Sequence, residues 1–276
     1  MKFIHITDTH LRRDFGKDEI GSLLGAVPDL PGRLERMLSS QNWDGIDFAV
    51  FTGDLIHEGK ASDYAFFKEI TERSIPENIP VLTVLGNHDY KDAFYEGYLG
   101  KKGSAPYYYT MNIGGYRLIV LDSAVPGMES GTVLKAQLSW LRNLLAEPYG
   151  KGSILFLHHP LIWGGEGGSL LLTKNADEVL NVLKGTDVFA VFCGHTHSNS
   201  LDVADGIIQE TADSAAFSLE VRRNSLAFTA AGGYSVVEID GRSVSVQTRR
   251  LDEAKALVEI PLDIFAQKMR ELDREA

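Results

Sequence analysis

Six short apolar segments recur along the chain up to residue 193, and a block of polar residues directly follows five of them. The segments are Phe3–Thr7, Phe48–Thr52, Val81–Leu85, Tyr116–Leu121, Ile154–Leu157 and Val188–Cys193. Each is rich in β-branched or aromatic residues and is bounded by polar residues or glycine, which is typical of strands buried on both faces. Because such strands must be covered on both faces, this feature restricts the chain to a layered fold.

Segments with helical periodicity lie between the apolar segments. The predicted helices are Ser62–Arg73, with Ser62 as its N-cap, Lys135–Glu147 and Asn175–Leu183. Their apolar residues recur at helical spacing, so each helix has one face to bury. Strands that alternate with helices indicate an α/β sandwich.

The pattern changes after about residue 205, where strands follow one another without helices between them. The predicted strands are Ile207–Glu210, Leu226–Thr229, Ser235–Ile239 and Ser243–Thr248, and a final helix is predicted over Leu262–Glu275. Asp240–Gly241 is a hairpin signal between the last two strands. We therefore predict a single domain, with a motif-bearing core at 1–200, second-sheet strands at 201–260 and a C-terminal helix at 261–276.

The charge of the chain narrows the choice of partners. Its 276 residues include 27 Lys and Arg against 38 Asp and Glu, which gives a formal net charge of −11. This acidic balance argues against nucleic-acid polymers and anionic membrane surfaces as partners, because proteins that bind them usually carry a basic field. The single cysteine, Cys193, excludes an internal disulfide. With no apolar run long enough for a transmembrane helix and an N-terminus interrupted by polar residues, we expect a cytoplasmic protein.

The polar blocks contain residue types that bind metals. The candidate residues are Asp8 and His10 after the first run, Asp54 after the second, Asn87, His88 and Asp89 after the third, His158 and His159 after the fifth, and His195 and His197 after the sixth. If the strands lie side by side, these residues collect at the C-terminal edge of a sheet, where open α/β sheets bind ligands.

The chemistry of this set favours two metal ions. Carboxylate, amide and imidazole ligands without thiolate suit Fe, Mn, Zn or Co. Asp8 and His10 are two positions apart, as are His195 and His197, and in extended backbone such pairs point to the same side. The candidates are too many for one four-coordinate ion but suffice for two ions that share a carboxylate, and such a pair can clamp a phosphoryl group. Each block alone would suit a turn or a cap, but turn chemistry does not explain all five in this order.

The five blocks, in this order, resemble the motif series of the calcineurin-like metallophosphoesterases over residues 1 to about 200. Within that family the chain looks most similar to the class III cyclic-nucleotide phosphodiesterases and glycerophosphodiesterases. The segments that carry this closer similarity are Gly53–Leu55, Leu121–Ser123, Gln137–Leu141 and His158–Pro160. The resemblance implies a four-layer αββα sandwich with a binuclear metal site at the C-terminal edge of the strands.

The resemblance also implies a role for each motif residue. Asp8, His10 and His197 would bind the first metal, Asn87, His158 and His195 the second, and Asp54 would bridge the two. His88 would be the catalytic histidine, and Asp89 would orient it. The spacing alone leaves the choice between His158 and His159 open, whereas the family pattern favours His158.

The implied activity is hydrolysis of small phosphodiesters by a metal-activated hydroxide. Phosphomonoester or nucleotide-pyrophosphate hydrolysis at the same centre remains an alternative within the enzyme class. The non-enzyme alternative is a metal-binding scaffold of the same fold, although such a scaffold should lack a ligand or His88. By analogy with related enzymes, the strands after residue 205 are a candidate homo-oligomer contact.

Three further features have simpler interpretations. His57 is expected to be a solvated loop histidine, and His5 a packed core histidine. The glycine-rich segment Gly164–Gly168 suits a substrate lid as well as it suits a long surface loop.

Overall fold

The computed structural model describes residues 1–15, 19–163, 171–251 and 256–275. Its strands are β1 Lys2–Ile6, β2 Phe48–Thr52, β3 Val81–Val84, β4 Tyr109–Ile113, β5 Tyr116–Val120, β6 Ser153–Phe156, β7 Val188–Cys193, β8 Ser200–Ala204, β9 Ile207–Thr211, β10 Ser218–Arg222, β11 Ser225–Thr229, β12 Gly233–Asp240, β13 Ser243–Arg250 and β14 Ala256–Pro261. Its helices are α1 Glu19–Gly25, α2 Leu30–Ser39, α3 Ala61–Ser74, α4 Lys91–Gly97, α5 Lys135–Leu144, α6 Ala176–Leu183 and α7 Leu262–Glu275.

Two mixed sheets form the centre of the fold. The first has the strand order β13-β12-β1-β2-β3, and the second has the order β4-β5-β6-β7-β9-β8. Strands β1, β2 and β3 are parallel to one another, as are β5, β6, β7 and β9. The remaining strands of these two sheets pair antiparallel. All six strands expected from the apolar segments are present. Because the motif-bearing strands of each sheet are parallel, their C-terminal ends lie at one edge.

The two sheets face each other across a layer of aromatic and aliphatic side chains. Phe3 of β1 stacks on Phe48 of β2 with ring centroids 4.6 Å apart and meets the edge of Phe192 of β7 at 5.1 Å. Helices α2 and α3 cover the outer face of the first sheet, and α5 and α6 cover that of the second. The order of layers is therefore helix, sheet, sheet, helix, which confirms the αββα sandwich.

The C-terminal third of the chain differs from the expectation. Strands predicted as one set of second-sheet strands at 201–260 are divided among three sheets: β8 and β9 join the second sheet, β12 and β13 the first, and β10, β11 and β14 form a third sheet. Sequence periodicity identifies a strand but not its partner, and here partners far apart in sequence decide the sheet. Helix α7 packs on β11 and β14, with the predicted bounds Leu262–Glu275.

Helix boundaries also shift. Ser62 is not the N-cap of α3, because the cap is Lys60, whose backbone N–H donates to the Asp63 carboxylate at 2.8 Å. Among the described helices, none is long and apolar enough to cross a bilayer.

A polar cluster crosses the apolar layer between the sheets. His5 of β1 is fully buried, as expected, and its Nδ1 lies 2.6 Å from a carboxylate oxygen of Glu210 in β9. The other Glu210 oxygen accepts from Ser235 of β12 at 2.7 Å, and His5 Nε2 lies 2.7 Å from the hydroxyl oxygen of Thr52 in β2. The cluster thus connects the two sheets directly behind the loop that follows β2.

Candidate metal centre

The C-terminal ends of β1, β2, β3, β6 and β7 meet at one edge, and the loops that follow them bring all seven predicted ligands together. These are Asp8, His10, Asp54, Asn87, His158, His195 and His197. Seven of the eight histidines of the chain gather here, His5 being the exception. The chemistry of the donor set shows whether metal ions fit this edge.

One group of donors comes from the loops after β1 and β7. The Nε2 atoms of His10 and His197 lie 3.1 Å apart. The Oδ1 atom of Asp8 is 3.2 Å from His197 Nε2 and 3.8 Å from His10 Nε2. All three side chains are buried. This is the group predicted to bind the first metal, and the two sheets contribute to it jointly.

The second group surrounds His158. Its Nε2 lies 3.1 Å from Asn87 Oδ1 and 3.3 Å from Asp54 Oδ2. The ring of His195 stands 5.1 Å from that of His158. The same Asp54 oxygen is 3.7 Å from His10 Nε2 of the first group, so Asp54 lies between the two groups, where a bridging ligand is required.

Each carboxylate uses one oxygen for the fold and presents the other to the centre. Asp8 Oδ2 accepts from the Thr7 hydroxyl at 2.6 Å and from the His195 backbone N–H at 2.9 Å, whereas its Oδ1 is buried without a partner. Asp54 Oδ1 accepts from the His88 backbone N–H at 2.9 Å, which leaves Oδ2 directed at the imidazoles. Hydrogen bonds of this kind fix the orientation of ligands before a metal arrives.

Hydrogen bonds to backbone carbonyls fix the tautomers of two histidines. His158 Nδ1 donates to the Thr52 carbonyl and His197 Nδ1 donates to the Phe217 carbonyl, both at 2.8 Å. Because carbonyl oxygens only accept, Nδ1 carries a proton in both rings, and Nε2 is the nitrogen that faces the centre and could bind a metal once it has lost its own proton. His195 Nε2 is buried without a partner. Convergent lone pairs and orphaned buried atoms of carboxylate and imidazole type fit two cations.

The backbone at these positions differs from the expectation. Asp8, His10, Asp54, His195 and His197 all adopt positive φ, between 41° and 72°. The Asp8/His10 and His195/His197 pairs therefore do not converge through extended backbone, as was predicted, but through left-handed turns. Such conformations are costly for residues with side chains and persist where the surrounding structure imposes them, commonly at functional sites.

The buried carboxylates and imidazoles are strongly coupled. Burial alone would raise the pKa of Asp54, but the neighbouring His158 and His88 hold it well below its usual range. Burial lowers the pKa of His158, but Asp54 and Asp8 raise it to about 9. Burial also lowers the pKa of His195 to about 3. The carboxylates thus stabilise the protonated ring of His158, and a metal bound there would have to displace that proton.

His88 lies beside the centre, and its partner is not the one expected. Its Nδ1 is 3.5 Å from a carboxylate oxygen of Glu58. Asp89, predicted to orient His88, instead accepts hydrogen bonds from the backbone N–H groups of Leu55, Ile56 and Gly86 and from the Tyr64 hydroxyl. Asp89 holds loops together, because its fully buried carboxylate is surrounded by backbone donors. Glu58 has no motif signal, and sequence reasoning missed it.

His57 is not the solvated loop histidine that was expected. It is only 5% exposed, and its ring lies against that of His88 with centroids 4.3 Å apart. Its Nδ1 is 3.1 Å from His10 Nδ1. Burial lowers the pKa of His57 to about 4, so the ring is neutral near pH 7. The sequence places it three residues after Asp54, and that spacing alone gave no reason to bury it.

The loop after β5 fixes two further side chains. His159 Nδ1 pairs with the Ser123 hydroxyl at 2.8 Å and His159 Nε2 with the Glu129 carbonyl at 3.0 Å, so both nitrogens are engaged. His158, whose Nε2 faces Asp54, is thus the better placed of the two for a metal. The Glu129 carboxylate accepts from Asn87 Nδ2 at 3.1 Å, which turns Asn87 Oδ1 towards the centre. Gly164–Gly168 lies outside the described residues.

Comparison with known proteins agrees with this geometry. The family model for calcineurin-like phosphoesterases matches residues 1–199. A probable cyclic nucleotide phosphodiesterase of Rhodococcus erythropolis is 34% identical over 223 residues, which cover 79% of this chain and 72% of that protein. A glycerophosphodiester phosphodiesterase of Enterobacter lignolyticus is 28% identical over 211 residues, 72% of this chain and 71% of that one.

Solved structures agree on the fold. A dimetal phosphatase from Danio rerio has a TM-score of 0.62 and 14% sequence identity, and the match covers 91% of this chain and 99% of that one. At this identity the likeness concerns the arrangement of layers alone.

Proposed function

The chain belongs to the calcineurin-like phosphoesterase family of metal-dependent phosphoester hydrolases, and from this premise we propose that it hydrolyses small phosphodiesters at a two-metal centre. The observation that carries the proposal is the pair of donor groups joined by Asp54, with Oδ2 3.3 Å from His158 Nε2 and 3.7 Å from His10 Nε2. The presence of every predicted ligand and of His88 argues against a scaffold without activity. The donor set suits Fe, Mn, Zn or Co.

Two bound ions would supply a hydroxide near neutral pH and offset the charge on the phosphoryl oxygens. The protein's own contribution begins with Asp8 and Asp54, whose second oxygens are held by the fold so that the first face the centre. His158 and His197 are held in turn through their Nδ1 protons. The chain thus presents a rigid donor set, which lowers the cost of reorganisation during the reaction.

His88 is the proposed general acid. Burial lowers the pKa of His88, but Asp54 and Glu58 raise it to about 9, so the ring carries a proton near pH 7. Only part of its side chain, 20%, is exposed, and it adjoins the first donor group at His10, whose ring lies 5.4 Å away. The imidazolium can donate a hydrogen bond to a phosphoryl oxygen or protonate the leaving alkoxide.

The charges around His88 favour a diester over a monoester. Glu58 lies 3.5 Å from His88 Nδ1 and the Glu129 carboxylate accepts from Asn87 Nδ2 at 3.1 Å, so two carboxylates adjoin the centre. A phosphomonoester near pH 7 carries about one negative charge more than a diester, because its second pKa is near 6. Repulsion by the two carboxylates therefore opposes the monoester more strongly. The named activities of the two bacterial relatives, on a cyclic nucleotide and on a glycerophosphodiester, define the diesters to test first.

A substrate panel tests the proposal directly. Cyclic AMP, a glycerophosphodiester, a nucleotide pyrophosphate and a phosphomonoester would each be incubated with Mn²⁺-loaded protein, with Asp54→Ala as the metal-centre control. We expect turnover of at least one diester at a higher kcat/KM than the monoester. Faster monoester hydrolysis would favour the phosphomonoesterase alternative, and absence of all hydrolysis in protein that holds two ions would refute the enzymatic role.

The role of His88 has its own test. We expect His88→Ala to lower kcat on a diester with an alkyl leaving group by about 10²-fold or more, because general acid catalysis typically contributes that much. The loss should be small with a p-nitrophenyl leaving group, which needs little protonation. Equal losses on both substrates would mean that His88 does not donate the proton.

The cytoplasm is the proposed compartment. The one cysteine of the chain, Cys193, is a buried free thiol, which suits a reducing environment.

A further inference from the structure

His57 is a buried histidine at this edge for which the family motifs supply no role. It follows β2 in the loop that carries Asp54, and it contacts both His10 and His88. One side of it meets His10 of the first donor group, with the two Nδ1 atoms 3.1 Å apart. Its face meets His88, with ring centroids 4.3 Å apart and planes inclined by 38°. A solvated loop residue would have neither contact.

The contact with His10 has a defined direction once a metal is bound. His10 faces the centre through Nε2, which lies 3.1 Å from His197 Nε2 and 3.7 Å from Asp54 Oδ2. A neutral imidazole that binds a metal through Nε2 carries its proton on Nδ1. His10 therefore donates that proton to His57 Nδ1, and His57 accepts it with its own proton on Nε2.

This partner differs from those of the other ligands. His158 and His197 both donate their Nδ1 protons to backbone carbonyls, which belong to the fold itself. His10 depends instead on a side chain, and that side chain also supports His88. The two halves of the centre, metal ligand and proposed acid, thus share one support.

We propose that His57 is a positioning residue that orients His10 for the metal through its Nδ1 lone pair and holds His88 in place through the face of its ring. The His10 half requires only that a metal binds at this site. The His88 half rests on the proposed function. The two halves depend on different parts of the imidazole, so different substitutions separate them.

Metal binding tests the first half. His57→Asn keeps an acceptor oxygen close to the Nδ1 position but removes the ring, and His57→Phe keeps a ring but removes the acceptor. Each variant would be dialysed against graded concentrations of chelator and its metal content counted by mass spectrometry. We expect His57→Phe to weaken one of the two ions about tenfold or more, as loss of a ligand's hydrogen-bond partner typically does, and His57→Asn to stay near wild type. Equal affinities for both variants would overturn this half.

Leaving-group dependence tests the second half. Turnover of diesters whose leaving groups range from p-nitrophenol to an alkyl alcohol would be compared among wild type, His57→Asn and His57→Phe. We expect His57→Asn to lose more activity as the leaving group becomes poorer, as in His88→Ala, and His57→Phe to keep the wild-type slope at matched metal occupancy. A wild-type slope for His57→Asn would overturn this half, since a purely structural change lowers all rates alike.

A measurement on the wild-type protein tests the proposal even if the variants fail to fold. In ¹⁵N NMR spectra of the metal-loaded protein, His57 should give the signals of the tautomer protonated on Nε2. Protonation on Nδ1 would contradict the proposed direction of the hydrogen bond. If the wild type binds two ions but hydrolyses no diester, the proposed function fails, and the metal and NMR measurements still decide the role of His57 towards His10.

Discussion

Glu58 is the carboxylate that pairs directly with the ring of His88. Its carboxylate lies 3.5 Å from His88 Nδ1, and its backbone N–H donates to the His88 carbonyl at 2.9 Å. Glu58 also adopts a positive φ of 50°, so the turn that presents it is constrained. The residue lies four positions after Asp54 in a stretch that looks like an ordinary turn. The local sequence therefore could not reveal Glu58, because its partner His88 lies in the loop that follows a different strand, β3.

Removing this charge should alter the pH dependence of turnover. A carboxylate beside His88 stabilises the imidazolium, so Glu58→Gln lowers the pKa of His88, and the ring loses its proton at a lower pH. We expect the basic limb of the pH profile for kcat, measured with an alkyl diester, to move to lower pH. Glu77→Gln, at an exposed position before β3, is the matched control. A basic limb that stays in place in Glu58→Gln would contradict the proposed acid.

Among the elements, the loops after β2 and β3 are connected by hydrogen bonds to the Asp89 carboxylate. Its carboxylate accepts from Leu55 and Ile56 N–H at 3.1 Å each and from Gly86 N–H at 2.9 Å, while Tyr64 of α3 donates to it at 2.9 Å. Asp54 and Asn87 lie in these two loops. These hydrogen bonds therefore fix the distance between the loop of Asp54, the proposed bridging ligand, and the loop of Asn87, a proposed ligand of the second metal.

Two substitutions measure how much the hydrogen bonds of Asp89 contribute to the free energy of unfolding. Tyr64→Phe removes one hydrogen bond from a carboxylate that retains three others, so we expect a loss of about 1 kcal/mol in the free energy of unfolding. Asp89→Ala strands several buried donors, each of which costs about 1–3 kcal/mol, so its loss should be at least about 3 kcal/mol. Urea unfolding of the metal-loaded proteins measures both. Equal losses would show that the backbone donors do not depend on Asp89.

Predictability at this scale followed the strength of the periodic signal. The buried strands and α7 were predicted within a few residues, because apolar runs and helical spacing are local properties. Helices α1 and α4, of seven residues each, are too short to give a clear period. The division of the late strands among three sheets depends on pairings such as β1 with β12, which no local pattern encodes. The predicted ligands could be brought to one place from motif order alone, whereas His57 and Glu129 reach the centre through contacts between loops that no local pattern marks.

At the scale of the whole molecule, the candidate metal centre is built from residues that follow strands of both central sheets. Asp8, His10, Asp54 and Asn87 follow strands of the first sheet, and His158, His195 and His197 follow strands of the second. Both donor groups mix residues from the two sheets. The net charge of −11 belongs to the chain without ions, and two divalent ions would add four positive charges at the site while the surface stays acidic. The acidic balance therefore opposes long polyanions more than small phosphate esters.

Removal of metal should destabilise the entire fold. Ions that bind only the native state add about 2.7 kcal/mol when their concentration is 100 times the dissociation constant. We expect a chelator to lower the thermal unfolding midpoint and excess Mn²⁺ to restore it. The comparison requires metal content to be measured in the same samples, with Asp54→Ala as a control whose midpoint should respond little to chelator. An unchanged midpoint in protein stripped of both ions would show that the centre does not hold the sheets together.

The pairing of β1 with β12 joins two segments that are synthesised at very different times. During synthesis Lys2 emerges from the ribosome long before Glu238, its partner in the sheet. Asp8 and His10 likewise wait for His197. High contact order of this kind slows folding, because distant segments must meet before their contacts repay the lost chain entropy. A nascent chain therefore presents an incomplete donor set until His197 has emerged, and the first donor group cannot assemble before that point.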